Sequence, residues 1–150
     1  MKAVIQRVSE ASVTINKKVV SKINEGILIL IGIVAEDSIE DIEWLTKKIV
    51  NLRIFNDEND IMNKSLIDVV GDAIVVSQFT LQASTKKGNR PSYIKAAKPD
   101  VAIPLYEQFV TILENKLNKK VGTGEFGADM KVSLINDGPV TIIIDSKQRI

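Results

Sequence analysis

The run Gly26–Val34, Gly-Ile-Leu-Ile-Leu-Ile-Gly-Ile-Val, contains no polar side chain. A strand with one solvated face alternates apolar and polar residues, so this run reads as a central strand covered on both faces. It falls well short of the ~20 residues that span a bilayer. A second central strand is expected over Asp72–Leu81, where Ala73-Ile74-Val75-Val76 is apolar and Ser77-Gln78-Phe79-Thr80-Leu81 becomes polar. A core strand that ends this way either opens into the mouth of a pocket or simply reaches the surface. If it continues to Leu81, Ser77 and Phe79 face one way and Gln78 and Thr80 the other. One face then cannot hold every polar group, and backbone N–H and C=O groups should matter in any site there.

The other elements follow from period. Residues 1–9 alternate, a second strand covers Ala11–Ile15, and Asn16-Lys17-Lys18 is a polar turn into a returning arm, Val19–Ile23. Arg7 puts a fork of five donors on a largely apolar strand, which reads as an arginine on the solvated side. Asp37 or Ser38 caps a helix with the stripe Ile42, Leu45, Ile49 and Leu52, running to about Arg53, with Trp44 packed beside it. Phe55–Gly71 reads as irregular, with Asn56-Asp57-Glu58-Asn59-Asp60 as its loop, whose acidic cluster suits a cation or, as the favoured reading, is a solvated loop. A second helix runs from Asp100 to about Lys119, with Tyr106, Phe109, Val110, Leu113 and Leu117 inward. Pro104 must sit in its first turn or kink it. Lys116, Lys119 and Lys120 suit the negative end of the helix dipole.

Near the C-terminus, Met130–Ile135 alternates and Val140–Ile144 is β-branched throughout, so both read as strands. Between them lies Asn136-Asp137-Gly138-Pro139-Val140-Thr141, read as a turn. Proline fixes φ and lacks a donor, while glycine before it accepts either peptide isomer or a positive φ. Upstream, Gly122-x-Gly124-x-x-Gly127 matches a dinucleotide fingerprint only formally, since no βαβ unit surrounds it. Phe126, Gly127, Ala128 and Met130 suggest instead backbone lying close to a ligand or another chain, or ordinary close packing.

Composition narrows the chemistry. A chain of 150 residues, 45% hydrophobic and 26% charged, fits one domain over residues 1–150. The first residues are strand-like rather than a leader peptide, and the chain has no cysteine, so a cytoplasmic protein is expected. With no His and no Cys, the usual zinc site, a Ser-His-Asp triad and a thiol nucleophile all fall away. Carboxylates, lysines, hydroxyls, backbone amides or a group carried by the substrate remain. Net charge +1 announces no nucleic-acid binder. Locally, however, Lys86, Lys87, Arg90, Lys95 and Lys98 crowd one acid-free segment with Tyr93, which suits phosphates or is a solvated basic loop.

From end to end the chain resembles the bacterial and eukaryotic D-aminoacyl-tRNA deacylases. The resemblance is carried by Gln6-Arg7-Val8 with Ala11-Ser12-Val13, Ser77-Gln78-Phe79-Thr80-Leu81, Arg90-Pro91-Ser92, Gly124-x-Phe126-Gly127-Ala128-x-Met130 and Asn136-Asp137-Gly138-Pro139-Val140-Thr141. Only Pro104 looks untypical. The resemblance implies a mixed α/β fold, a single-domain three-layer β/β/α sandwich of mostly antiparallel sheets, working as a homodimer. It implies hydrolysis of the ester between a D-amino acid and the tRNA 3′ end, with no cofactor, metal, membrane or DNA partner. It further implies a cis Gly138-Pro139 bond in a loop that enters the partner subunit's site, held by Arg7. Ser77, Gln78, Phe79 and Thr80 would form the catalytic pocket, bordered by Phe126, Gly127, Ala128 and Met130, with Lys86, Lys87 and Arg90 toward tRNA.

Such an enzyme must spare the L-enantiomer, which carries the same groups, so it needs a wall rather than an attraction. Glycine offers no side chain to reject, so glycyl-tRNA should also be hydrolysed. Two routes cleave the ester: Thr80 or Ser77 as nucleophile, poorly activated without histidine, or the terminal ribose 2′-OH assisted by backbone amides, the favoured route. A non-catalytic RNA-binding module and a general Ser/Thr esterase are the competing readings.

Overall fold

Both apolar runs lie in the middle of one sheet. The computed structural model describes residues 1–150, with strands β1 (Lys2–Ile15), β2 (Lys18–Ile23), β3 (Gly26–Gly32), β4 (Phe55–Asn56), β5 (Met62–Lys64), β6 (Asp72–Ser77), β7 (Gly122–Thr123) and β8 (Lys131–Asp145), and helices α1 (Ile39–Asn51) and α2 (Pro99–Leu117). The main sheet is ordered β2-β1-β3-β6-β7, with β8 also on β1. β4 and β5 form a small separate hairpin inside the segment expected to be irregular.

β1 is the spine. Residues 1–15 were expected as two strands but form one, antiparallel to three others. Lys2–Val8 pairs with β3, Ala11–Ile15 with β2, and β8 runs along both halves of the opposite edge. The β1–β2 hairpin closes through Asn16 and Lys17, both at positive φ (49° and 64°), the backbone twist that tight two-residue hairpins favour.

Side chains on the central strands feed two separate cores. Ala3, Ile5, Ile27, Ile29, Ile31, Ala73 and Val75 pack with Ile42, Leu45 and Ile49 of α1 and Tyr106, Phe109 and Leu113 of α2. Their alternates, Leu28, Ile74 and Val76, pack with Val8, Ala11, Val13 and Ile23. The second half of β1 and β2 therefore fold back over the face opposite the helices, and Ser21 of β2 fastens this ribbon to β7 by accepting from the Thr123 N–H at 3.0 Å. Full burial of such side chains stabilises by roughly 1.5–3 kcal/mol each. Three layers thus arise from one folded sheet rather than from separate sheets. Its β3–β6–β7 arm is parallel, because α1 and α2 are the crossovers that return the chain to the same end.

Several boundaries differ from expectation. β6 stops at Ser77 and the chain enters a 3-10 turn, Phe79–Gln82. Pro104 sits in the second turn of α2, where its missing N–H leaves the exposed Asp100 carbonyl to solvent. Lys116 and Lys119 do more than face the helix dipole: Lys116 pairs with Glu43 of α1 and Lys119 with Asp72 of β6, both at 2.9 Å. Ser38, not Asp37, precedes α1 as its cap. Asp37 is buried and accepts from the Met1 amino group and the Val34 N–H.

Candidate active site

The segment Asn136–Thr141 is not a hairpin turn. Both halves of β8 run in one direction along β1, with Asn136 opposite Val8 and Thr141 opposite Gln6. Asp137–Val140 are surplus to that register and leave the sheet as an extended bulge. Its tip, Asp137-Gly138-Pro139, is exposed, and the Gly138–Pro139 peptide bond is cis. Gly138 has φ 138°, and a Cβ there would lie 2.9 Å from both Arg7 Nη2 and Val140 Cγ2. Only glycine fits this position without displacing the guanidinium.

Arg7 is not a solvated surface residue, as its strand position suggested; it is 9% exposed. Its Nε donates to the Asp137 carbonyl at 2.8 Å, and its Nη1 donates to the Ile54 carbonyl at 2.6 Å and to Asn56 Oδ1 at 3.4 Å. The planar fork joins the bulge to the segment just beyond α1. Asn136 braces the other stem: its Oδ1 accepts from the Val140 N–H and its Nδ2 donates to Thr141 Oγ1, each at 2.8 Å. The sequence reading singled out neither Ile54, Asn56 nor this use of Asn136. A loop carbonyl has no sequence signature, but an Asn at the mouth of a bulge is a recognisable local acceptor.

A second constellation lies at the carboxyl ends of the parallel strands. The Gln78 N–H donates to the Ile31 carbonyl at 2.8 Å, which ends β6 against β3. The 3-10 turn then packs on Gly32, where a Cβ would meet Leu81 Cβ at 2.9 Å and the Gln78 carbonyl at 3.0 Å. Gln82 Nε2 secures it by donating to the Gly32 carbonyl at 2.9 Å. Strand alternation no longer applies past Ser77, and Gln78 Nε2 donates to Thr80 Oγ1 at 2.5 Å, which puts two residues of the polar run side by side. The turn's own bonds begin with the Leu81 N–H, so the Phe79 and Thr80 N–H groups precede its ladder. The Thr80 hydroxyl has an amide, not a base, as its side-chain partner.

Two further predicted segments converge on this end. β7 runs parallel to β6, with Thr123 level with Val75, so the loop after it emerges where β6 ends. In that loop Phe126 packs edge-on to Tyr106, centroids 6.2 Å apart. The Tyr106 hydroxyl donates to the Val75 carbonyl at 2.8 Å, and burial pushes its pKa up to about 12. Gly127 stands at φ 79° with open space beside it, and Met130 lies over Gly124 on the ribbon side. Ala128 closes the turn, donating its N–H to the Glu125 carbonyl at 3.1 Å. The basic segment is tied to the 3-10 turn: Phe79 and Tyr93 pack edge to face at 5.1 Å, and Ser84 and Ser92 exchange backbone hydrogen bonds at its base. Lys86, Lys87 and Arg90 are exposed there.

The acidic loop holds itself together. Asp57 accepts the Ile61 and Asn59 N–H groups, which lowers its carboxyl pKa.

The bulge and the turn do not meet within one chain. Ser77 is level with Ile31 and Ala3, whereas the bulge leaves β8 opposite Gln6 to Val8. At ~3.3 Å per residue and ~4.8 Å per strand, the offset along β1 and across β3 to β6 is roughly 20 Å.

A family profile described as D-Tyr-tRNA(Tyr) deacylase matches residues 4–145. The chain is 70% identical to the D-aminoacyl-tRNA deacylase of Flavobacterium psychrophilum and 66% identical to that of Bacteroides fragilis, each over 149 residues and 99% of both chains. Among solved structures it is similar to one titled c-Myc DNA Unwinding Element Binding Protein, with TM-score 0.92 and 41% identity over 97% of this chain and 98% of the other. A structure of a probable eukaryotic D-amino acid tRNA deacylase shares the fold, with TM-score 0.84 and 16% identity over 95% and 97% of the two chains. With the profile covering nearly the whole chain and the motif-bearing turn and bulge both in place, this chain belongs to the D-Tyr-tRNA(Tyr) deacylase family.

Proposed function

We propose that this protein is an editing hydrolase that cleaves the ester joining a D-amino acid to the 3′ end of tRNA, and glycyl-tRNA as well, in the cytoplasm. The observation that carries the proposal is an exposed, braced Gly138-Pro139 tip whose stem lies roughly 20 Å from the polar Ser77–Thr80 turn of the same chain. A homodimer in which each tip enters the other subunit's Ser77–Thr80 pocket joins the two. The long open edge of β8, with Ile135 52% and Ile143 67% exposed, supports association, since such edges are normally covered.

In this reading the tip's main chain is the wall that excludes an L side chain. A pocket that gains or loses one methylene discriminates by only about 1–3 kcal/mol, whereas rigid packing that leaves no room rejects by clash. Phe126, Gly127, Ala128 and Met130 border the amino acid. Exposed Lys86, Lys87 and Arg90 meet the tRNA phosphates, and DNA is not a substrate.

The ribose 2′-OH of the terminal adenosine assists attack on the ester carbonyl, while the Phe79 and Thr80 N–H groups receive the developing oxyanion. One such donor is typically worth about 3–4 kcal/mol. Thr80 positions Gln78 and shapes the pocket rather than attacking. Thr80→Ala is therefore expected to keep activity within about a hundredfold, ~2.7 kcal/mol, of the parent. Loss to background, with full activity retained on a 2′-deoxy substrate, points instead to a threonine nucleophile. The central experiment compares deacylation of D-, L- and glycyl-tRNA. Cleavage of the first and third but not the second is expected; inertness toward glycyl-tRNA overturns exclusion as the selecting principle.

A further inference from the structure

We infer that Asn136 is a specificity-positioning residue, whose side chain sets where the Gly138-Pro139 tip stands and hence how strictly the L-enantiomer is refused. The inference rests on the reading of that tip as the excluding wall. Asp137–Val140 have no ladder partners on β1, because Asn136 and Thr141 take the flanking positions opposite Val8 and Gln6. A bulge of this kind on an open edge has lost the bonds that would fix its outline. Two side chains replace them.

Arg7 holds the outgoing stem at the Asp137 carbonyl, 2.8 Å away. Asn136 holds the returning stem, accepting from the Val140 N–H and donating to Thr141 Oγ1. One planar amide thus spans the mouth of the bulge from its first residue to its last. The residues on either side of Gly138-Pro139 are pinned, and only the tip projects unsupported. Remove the amide and Arg7 still holds one stem, while the other can shift. Displacing a reacting or excluding group by about 1 Å can alter rates a hundredfold. The pocket's own hydroxyls and amides are roughly 20 Å away in the same chain and keep their geometry.

The test compares kcat/KM on D- and L-tyrosyl-tRNA for the parent protein and five variants, with thermal melting as the check on folding. Asn136→Ala is expected to raise the L-to-D ratio tenfold or more, about 1.4 kcal/mol of lost discrimination. Asn136→Asp keeps an acceptor for Val140 and can accept from the Thr141 hydroxyl, so its ratio should stay within about threefold of the parent. Thr141→Val removes one of the two bonds and should show a smaller leak, while adding it to Asn136→Ala should change little further, the non-additivity of one network. Pro139→Gly alters the tip itself. A leak from Pro139→Gly with none from Asn136→Ala or Thr141→Val overturns the role of Asn136 and leaves the wall standing. An unchanged ratio in Pro139→Gly overturns the wall, and the inference with it. A lower melting temperature with an unchanged ratio assigns Asn136 to stability alone and also overturns the inference.

Discussion

Arg7 shows how one side chain can join sequence positions that share no local pattern. Its guanidinium bonds carbonyls of Asp137 and Ile54, 130 and 47 residues away. Removing it leaves those acceptors without their charged donor, a loss of about 2–3 kcal/mol. Arg7→Ala is expected to lower the melting temperature by several degrees and to loosen D-over-L selectivity. Arg7→Lys should recover only part of each, because a point charge cannot reproduce the fork. A melting curve and an L-tyrosyl-tRNA assay check both; equal behaviour of the lysine and wild-type proteins would show that charge alone suffices. Strand position alone read Arg7 as solvated, because alternation reports which face a side chain takes, not what waits beyond that face; only the family resemblance put it on the Gly-Pro loop, where its Nε bonds the Asp137 carbonyl. Gly138 was easier: Gly-Pro announces an unusual backbone, though not that the chain continues straight through it.

At the scale of elements, periodicity made most of the fold legible. The first apolar strand, the first hairpin and both helices lie close to their expected bounds, and the second apolar strand begins where expected, since each signal is local. What escaped was set by tertiary contacts. β6 ends at Ser77 because Gly32 lets the 3-10 turn pack tightly against β3, and β8 is continuous because its partner is β1 at the other end of the sequence. The start of α1 carries a further consequence. Burial opposes ionisation of Asp41, but hydrogen bonds from Lys147, Ser146 and Ser38 outweigh it and hold its carboxyl well below the usual range. A depressed folded-state pKa stabilises at neutral pH, and that stabilisation is lost as pH falls below the unfolded value of about 3.9. Asp41→Asn should therefore destabilise at pH 7 by on the order of 2 kcal/mol, with the gap from wild type closing below about pH 4. Urea titrations at several pH values read this directly; a gap that persists at low pH contradicts it.

For the whole molecule, near-neutral charge with one basic segment predicts a substrate interaction that is local and salt-sensitive. Replacing Lys86, Lys87 and Arg90 together by Ala should weaken tRNA binding and flatten its dependence on log salt by roughly 2, as for three lost phosphate contacts. The rate at saturating substrate should change far less. An unaltered salt slope would move the tRNA track elsewhere on the surface.

The roughly 20 Å between bulge and turn also makes loss of function divisible. A chain with a ruined tip still owns a sound pocket, and a chain with a ruined pocket still owns a sound tip. In the proposed homodimer, two inactive proteins, mixed and allowed to exchange subunits, should then rescue each other. Random reassortment gives mixed pairs about half the time, each with one complete site, so recovery should approach a quarter of normal turnover.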